Sequence, residues 1–287
     1  FGPRMFHFTA DEAVDERRIV NNLVGACIVN RIDEIVFARS EDEFARWFDR
    51  ALYAVACGCR LTSLPDFLEF ELREVPLGDV DASWLLGGGW DLGNALSEAA
   101  KRGIDIGVGI VGLTLGLPAY LAIALLVKLT SRGPVFYSQL RTGRFGAPFR
   151  IWKFRTMRQN AEASGAQWAT VKDNRVTLIG RILRKTRLDE TPQFWNILIG
   201  NMSLVGPRPE RPEFVRELEE QIPFFGCRHL VRPGLTGWAQ INYRYGASLE
   251  DSRRKLQFDL YYVRRHSVSL DVIIILRTVL AVCKGAR

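Results

Sequence analysis

Residues 106–127, "IGVGIVGLTLGLPAYLAIALLV", run for 22 residues without a charge, and no other stretch constrains the fold as much. At about 1.5 Å per residue a straight helix of that length would cross the ~30 Å hydrocarbon core of a bilayer. Three features argue against a simple span. Pro118 lies past the middle, where it removes a helix hydrogen bond and kinks the axis. Gly107, Gly109, Gly112 and Gly116 loosen the first half. Lys101 and Arg102 precede the stretch while Lys128 and Arg132 follow it, so the positive-inside rule draws both ends to the cytoplasm. A re-entrant helix, broken at Pro118 and returning to its own side, satisfies all three. The competing reading is a buried hairpin in a soluble core. Because backbone freed at a break must be satisfied internally or near headgroups, the expected penetration is shallow.

Charge divides the chain. Residues 1–100 carry 9 Lys and Arg against 18 Asp and Glu, whereas residues 101–287 carry 30 against 14. An acidic front and a basic back imply two units with different partners. The basic unit suits nucleic acid, anionic lipid or a phosphorylated small molecule, and composition does not choose among them. The five cysteines lack zinc spacing and read as reduced thiols. Opening on Phe1 without a signal peptide, the sequence reads as a piece of something longer.

The front alternates strand and helix signals. "DEIVFA" (33–38) reads as a buried strand. Residues 40–58 read as an amphipathic helix with Ser40 and Glu43 as a capping box and Gly58 as a stop. "CRLTSLPDFLE" returns to strand and loop. Strand, helix and strand predict part of a doubly wound sheet, yet no G-x-G-x-x-G follows a strand, which disfavours a dinucleotide site. Gly87-Gly88-Gly89 marks a linker. In the back half, Ser131–Arg158 reads as short strands or loops on a basic face. Helices are expected over 178–186, 192–200 and 213–221, and one more begins at Ser248 with Asp251 capping. Residues 269–283, apolar but interrupted by Arg277, are too short to span and suit an interfacial helix.

Four places in the basic unit carry unusual chemistry. "KFRTM" (153–157) sets Lys153 and Arg155 on one face of a strand. "TRLDETPQ" (186–193) holds adjacent acids, Asp189 and Glu190, behind Arg181, Arg184, Lys185 and Arg187 and before Pro192, which looks like a helix start. Such acids also occur at helix starts for the dipole alone. "SLVGPRPE" (203–210) stiffens Arg208 between two prolines, and "RPGLTGWAQIN" (232–242) joins Arg232 to a Gly-rich turn and Trp238. Arginine suits bidentate phosphate recognition, and adjacent carboxylates suit Mg²⁺, which takes one or two of them and completes its shell with phosphate and water.

These stretches, with "GPVFYSQLRTG", "FRIWKFRTM", "RVTLIGRILRKTRLDETPQFWNILIGNMSLVGPRPE" and "LVRPGLTGWAQIN…FDLYYV", resemble the bacterial sugar transferase family, the monotopic polyprenyl-phosphate phosphoglycosyltransferases. The resemblance runs from about Lys101 to the C-terminus. The acidic front, through "VPLGDVDASWLL", more loosely resembles the degenerate Rossmann-like domain of the large members. The resemblance implies a mixed α/β architecture: a partial Rossmann-like domain over 1–90, a re-entrant helix over 101–130, and a helix-rich α+β catalytic domain over 131–287 with an interfacial C-terminal helix. It implies transfer of a sugar-1-phosphate from a UDP-sugar to polyprenyl (undecaprenyl) phosphate at the cytoplasmic face of the bacterial inner membrane. UMP is released, Mg²⁺ is required, and the step initiates exopolysaccharide, capsule or O-antigen synthesis. Asp189 matches the nucleophile that carries the phosphosugar, and Glu190 its partner as metal ligand or proton acceptor, with both as candidate metal ligands. Lys153, Arg155, Arg208, Arg232, Arg141 and Gln193 match substrate contacts. The family's helix break is commonly Ser-Pro; here Leu117 precedes Pro118. A homodimer is expected, as the large members pair and the charge asymmetry offers complementary surfaces. Two rival readings are a catalytically inactive membrane relative and a basic nucleic-acid-binding module. The second would need neither the apolar stretch nor an acid pair inside a basic field.

Overall fold

A computed structural model of the chain describes residues 25, 27–37, 52–78, 80, 90, 95–158, 175–243, 246 and 248–284. The chain divides into two compact units, Phe1–Asp79 and Val80–Arg287. In the first, β1 (Glu34–Phe37) pairs in parallel with β2 (Arg60–Ser63). Parallel neighbours need a crossover, and residues 52–56 of that crossover are helical, with Gly58 at φ +93° just beyond. This is one strand–helix–strand unit; a wider Rossmann-like sheet lies outside the described residues, as do the Ser40/Glu43 capping box and the Gly87–Gly89 linker. The loop expected after β2 is instead a helix, α1 (Leu64–Leu72). Ser63 caps it by accepting from the Asp66 N–H at 3.3 Å, and Pro65 lies in its first turn. Cys27, Cys57, Cys59 and Cys227 form no disulfide.

The second unit opens with α2 (Ala95–Thr130), 36 residues long, about 54 Å if straight. Among the described residues it is the one helix long and apolar enough to cross a membrane. The expected break at Pro118 is absent as a break: the helix runs through the proline. A proline inside a helix removes only one ladder bond, and here Tyr120 reaches back to donate its hydroxyl to the Gly112 carbonyl at 2.8 Å. Three of the four glycines are notches rather than hinges, while Gly107 meets nothing within 4 Å. A Cβ at Gly112 would come within 2.9 Å of the Phe194 ring, one at Gly109 within 2.8 Å of Leu198, and Gly116 lies under the Tyr120 ring. Between those contacts Leu115, Leu121, Leu125 and Leu129 stand exposed.

An antiparallel hairpin follows, β3 (Phe136–Thr142) and β4 (Pro148–Phe154), with Tyr137 opposite Lys153. Helix α3 (Leu178–Thr186) has the expected limits and α4 (Gln193–Leu198) is slightly shorter than expected. Next come β5 (Ser203–Val205), α5 (Pro212–Gln221), β6 (Gly234–Thr236) and α6 (Trp238–Asn242). The parallel pair β5–β6 escaped the sequence, because three-residue strands show no period. Helix α7 (Leu249–Arg265) starts on the expected capping box: Ser248 and Asp251 exchange both bonds, at 3.0 and 2.9 Å. In α8 (Val268–Cys283) Arg277 lies over the Trp238 ring at 5.5 Å, so the cation that interrupts the apolar run is spent on packing. Ile197, Met202, Val205, Trp238, Tyr262, Val263 and Ile274 form the core on which α4, β5, α7 and α8 meet.

Gly180 tests this packing. Alanine is favoured over glycine inside a helix by about 1 kcal/mol. A Cβ there would nonetheless meet the Thr156 carbonyl oxygen at 2.1 Å, and forcing apart backbone costs about 1–3 kcal/mol. Gly180→Ala should therefore lower the melting temperature in detergent, by about 2–6 °C. An unchanged or raised Tm would show that propensity wins and that the α3–Thr156 contact is loose.

Candidate active site

Helix α3 ends at Arg187, whose left-handed backbone (φ 60°) turns the chain into a single 3-10 turn, Leu188–Glu190. Both acids of that turn are buried. Successive residues of a 3-10 turn project about 120° apart, so sequence neighbours meet different surroundings.

Glu190 is clamped. Lys153 Nζ from β4 lies 2.7 Å from its Oε1, Arg208 Nη2 lies 2.6 Å from the same oxygen, and Arg187 stands 3.9 Å from Oε2. Burial alone would raise the Glu190 carboxyl, but Arg208 and Lys153 outweigh it and hold the group well below the usual range. Lys153 is itself pulled down by burial, against the attraction of Glu190. Arg208 comes to the clamp from between Pro207 and Pro209, with Nη1 on Gln240 Oε1 at 3.3 Å and its carbonyl accepting from Arg228 at 3.0 Å.

Asp189 differs in kind. Its carboxylate has no hydrogen-bond or ion-pair partner among the described residues. Burial raises its carboxyl above the ordinary value and the Glu190 charge adds to that, while Lys153, Arg184 and Arg208 oppose it from a distance. Two adjacent carboxylates thus have opposite environments, one ionised and engaged, one desolvated and free, a division that separates roles in an active site.

The other expected site residues divide. Lys153 and Arg208 join the acid pair. Arg141 lies in the same cationic neighbourhood, 3.6 Å from Glu210 and within the field of Arg208 and Arg211, with its Nε buried and unpartnered. Gln193, at the start of α4, is buried with an unpartnered Nε2. Arg155 is placed elsewhere: β4 ends at Phe154, so Arg155 does not share the Lys153 face, and its Nη2 donates to the Ser131 carbonyl and hydroxyl, both at 2.8 Å. Arg232 also turns away, to Glu98 on α2 at 3.4 Å. Both hold α2 to the unit. Nor does a long helix start at Pro192: α4 has six residues, so the local positive charge comes from side chains more than from a dipole. Two neighbours of the pair were missed. Arg184, held by Thr156 Oγ1 at 2.9 Å, acts on Asp189, and Gln240 buttresses Arg208. Arg184 stood in the quoted cation run, but nothing in the run distinguished it from the exposed Arg181 and Lys185.

No group of three or more His, Cys, Asp or Glu is placed to hold a metal among the described residues. The acid pair fits an ion that takes one or two carboxylates and draws its other ligands from a bound diphosphate, with Glu190 Oε2 and Asp189 the available donors.

Buried acids set among cations, beside a long apolar helix, define a class of site suited to phosphate groups at an apolar surface. The chain belongs to the bacterial sugar transferase family, whose model matches residues 96–285. It is 40% identical over 259 residues to the UDP-N-acetylgalactosamine-undecaprenyl-phosphate N-acetylgalactosaminephosphotransferase of Aeromonas hydrophila, covering 89% of this chain and 60% of the relative. It is 38% identical over 234 residues to the UDP-glucose:undecaprenyl-phosphate glucose-1-phosphate transferase of Escherichia coli K12, covering 77% and 48%. With the exopolysaccharide production protein PSS of Rhizobium leguminosarum it shares 39% identity over 187 residues, 63% of this chain and 94% of the relative. The matches thus span 60% and 48% of the first two relatives' own lengths.

Removing one cation tests the clamp. Lys153→Met leaves Glu190 with Arg208 and the more distant Arg187 and should cost about 1–3 kcal/mol at pH 7. A depressed carboxyl stabilises above its unfolded pKa, and that stability is lost as pH falls through the folded pKa. The penalty should therefore be full at neutral pH and shrink on acidification below the ordinary carboxylate range. Thermal melts of both proteins across that range measure it; a penalty independent of pH would rule out an ionised Glu190 as its source.

Proposed function

We propose that this protein transfers a sugar-1-phosphate from a UDP-sugar to polyprenyl (undecaprenyl) phosphate, through a covalent phosphosugar on Asp189. The observation that carries the reading is the asymmetry of the acid pair: Glu190 is tied to Lys153 and Arg208 while Asp189 is buried and unengaged. A carboxylate with free lone pairs in a desolvated site is a nucleophile; one saturated by cations is not. The relatives' names supply the donor and acceptor classes, and that of the Rhizobium protein supports a place in exopolysaccharide production.

In this mechanism an Asp189 oxygen attacks the phosphorus bonded to the sugar. The new O–P bond forms as the bridging P–O bond breaks, its electron pair leaving on UMP. An oxygen of the polyprenyl phosphate then attacks the same phosphorus, the acyl phosphate bond breaks, and the Asp189 carboxylate is regenerated. Lys153 and Arg208 are placed to share their charge with the phosphoryl oxygens, and Arg184 and Arg141 widen that field. Mg²⁺, held by the free carboxylate oxygens and the diphosphate, would neutralise further phosphate charge.

Membrane seating at the cytoplasmic face is part of the same proposal. Both ends of α2 dock on one unit: Arg102 donates to the Ile197 and Leu198 carbonyls, while Ile123 and Val127 pack with Phe154 and Leu183. That supports an unbroken helix whose two ends both stay on the side of the unit that holds the acid pair. The exposed Val272, Leu276, Val279 and Leu280 of α8, about 24 Å long, support an interfacial helix. Ala99→Cys and Thr130→Cys should both escape an impermeant thiol reagent applied to intact cells. Labelling of Thr130→Cys but not Ala99→Cys would mean that the helix spans.

For the chemistry, donor alone should release about one equivalent of UMP per active site and leave a phosphosugar on the peptide containing Asp189. Asp189→Asn should lower turnover by about 10³-fold or more. Because burial and Glu190 raise the Asp189 carboxyl, the acid limb of kcat/KM should lie above the ordinary aspartate range. In Glu190→Gln the limb of the residual activity should move to lower pH, since the neighbouring charge is gone. Wild-type enzyme that releases no UMP before acceptor is added, and carries no adduct by mass spectrometry, would leave the acids as metal ligands only.

A further inference from the structure

The first turns of α2 are polar on one face, and each polar residue reaches a different segment of the unit that holds the acid pair. Glu98 meets Arg144 and Arg232, both at 3.4 Å. Arg102 closes the end of α4, donating at 2.6 Å to each of two carbonyls. Lys101 and Asp105, one turn apart and so on one face, both turn to β5. Asp105 Oδ1 accepts from the Leu204 N–H at 2.8 Å and the Ser203 hydroxyl at 3.1 Å. Lys101 Nζ donates to the Val205 carbonyl at 3.0 Å, and is held there by Tyr262 and Asp271. Among the described residues the sheet has two strands, and these backbone groups of β5 find side-chain partners on α2, joined at the Val205 carbonyl by Tyr262.

We propose that Asp105, with Lys101 one turn before it, is a positioning residue that sets Arg208 against Glu190 by fixing β5. The path between them has little slack. Strand β5 runs straight into Gly206, Pro207 and Arg208. The Gly206 N–H donates to the Thr236 carbonyl and the Pro207 carbonyl accepts from the Gly234 N–H, both at 2.9 Å. A Cβ on Gly206 would come within 2.3 Å of the Arg232 carbonyl oxygen, and one on Gly237 within 2.2 Å of the Gly206 oxygen, so here backbone lies on backbone. Prolines on either side fix the φ angles next to Arg208, whose guanidinium then stands 2.6 Å from Glu190. A displacement of Leu204 has nowhere to relax before it reaches that contact. Asp105 is also a costly way to join a helix to a strand. It is 2% exposed, its Oδ2 has no hydrogen-bond partner, and an apolar contact would hold the helix more cheaply. What the carboxylate adds is a fixed register for β5. On this view the apolar helix is part of the active site's frame as well as its anchor, and how it is seated is felt at Arg208.

The inference rests on the transferase reading, and the test keeps the two apart. UMP release from a UDP-sugar and polyprenyl phosphate is measured with the full chain in nanodiscs for wild type, Asp105→Ala, Arg208→Lys and the double variant, each with its thermal melt. Asp105→Ala should lower kcat about tenfold, and far less once Arg208 is already Lys, because both changes loosen one contact. Asp105→Asn, which keeps an acceptor toward Leu204 and Ser203, should restore most of the activity. Ser203→Ala removes one of the two bonds and should give a smaller loss, about threefold, with the same non-additivity; it carries the test should Asp105→Ala fail to fold. Losses of the same factor in both Arg208 backgrounds, following the fall in Tm, would overturn the proposal and leave Asp105 a fold residue. A wild-type protein that releases no UMP would sink the transferase reading instead.

Discussion

An ionised carboxylate in the interior is costly unless cations offset it, and the arrangement around Glu190 follows from that cost. Isolated in a low-dielectric interior its charge would cost several kcal/mol, more than most single contacts return. Two cations on one oxygen meet the cost, and each imposes geometry on a separate part of the chain. Lys153 must lie on the inward side of β4, which fixes the hairpin register at Tyr137. Arg208 must arrive stiff, since a flexible arginine would lose in side-chain entropy much of what the ion pair gains. The flanking prolines and the Gly206–Gly234–Gly237 backbone contacts supply the stiffness. Once Glu190 has taken both cations, Asp189 is left without one, and its freedom is a by-product of its neighbour's satisfaction.

The long helix combines two opposed solvents in one element. Its first turns carry Glu98, Lys101, Arg102 and Asp105, each with a protein partner, and past Asp105 its surface is apolar and largely uncovered. Apolar side chains exposed over several turns are unfavourable in water at about 25 cal/mol per Å² and neutral in lipid. Polar side chains show the reverse preference. The junction near Asp105–Ile106 is therefore where a change of solvent would fall, and the polar contacts on the protein side of it give the helix one docking pose. Small residues set its closeness: Gly109 and Gly112 let Leu198 and Phe194 of α4 approach the helix backbone, and α4 directly follows the acid pair.

Much of this was legible in the sequence where the signal was local. The capping box at Ser248, the limits of α3, the acid pair and the stiffened Arg208 all follow from residues within a few positions of one another. What was not legible depends on distance along the chain. Lys153 and Arg155 look equivalent two residues apart, yet β4 ends between them, and Ser131, twenty-four residues away, takes the arginine. Arg232 sits in a motif as suggestive as that of Arg208, but a glutamate 134 residues earlier claims it. Gly109, Gly112 and Gly116 read as flexibility because the side chains that fill them belong to another helix or to a tyrosine beyond the proline. Pro118 was expected to break the helix, but one missing N–H does not outweigh the ladder on either side.

Adjacent acids that behave differently require a turn that separates them. On a strand they would face opposite sides of the sheet, and one would leave the site. In an α-helix they would lie about 100° apart, along a surface that a neighbouring element normally covers. The single 3-10 turn is short enough to bury both acids while Leu188 stays exposed. It is entered through the left-handed Arg187 and left through Pro192, so neither flanking helix can absorb the acids into its own surface. Held there, the two carboxylates stay within each other's field. The fixed charge on Glu190 raises its neighbour's carboxyl, while Lys153, Arg184 and Arg208 oppose that rise. A phosphate drawn to Lys153 and Arg208 would dilute the hold on Glu190 while bringing its own phosphorus toward Asp189, whose carboxylate has no partner among the described residues.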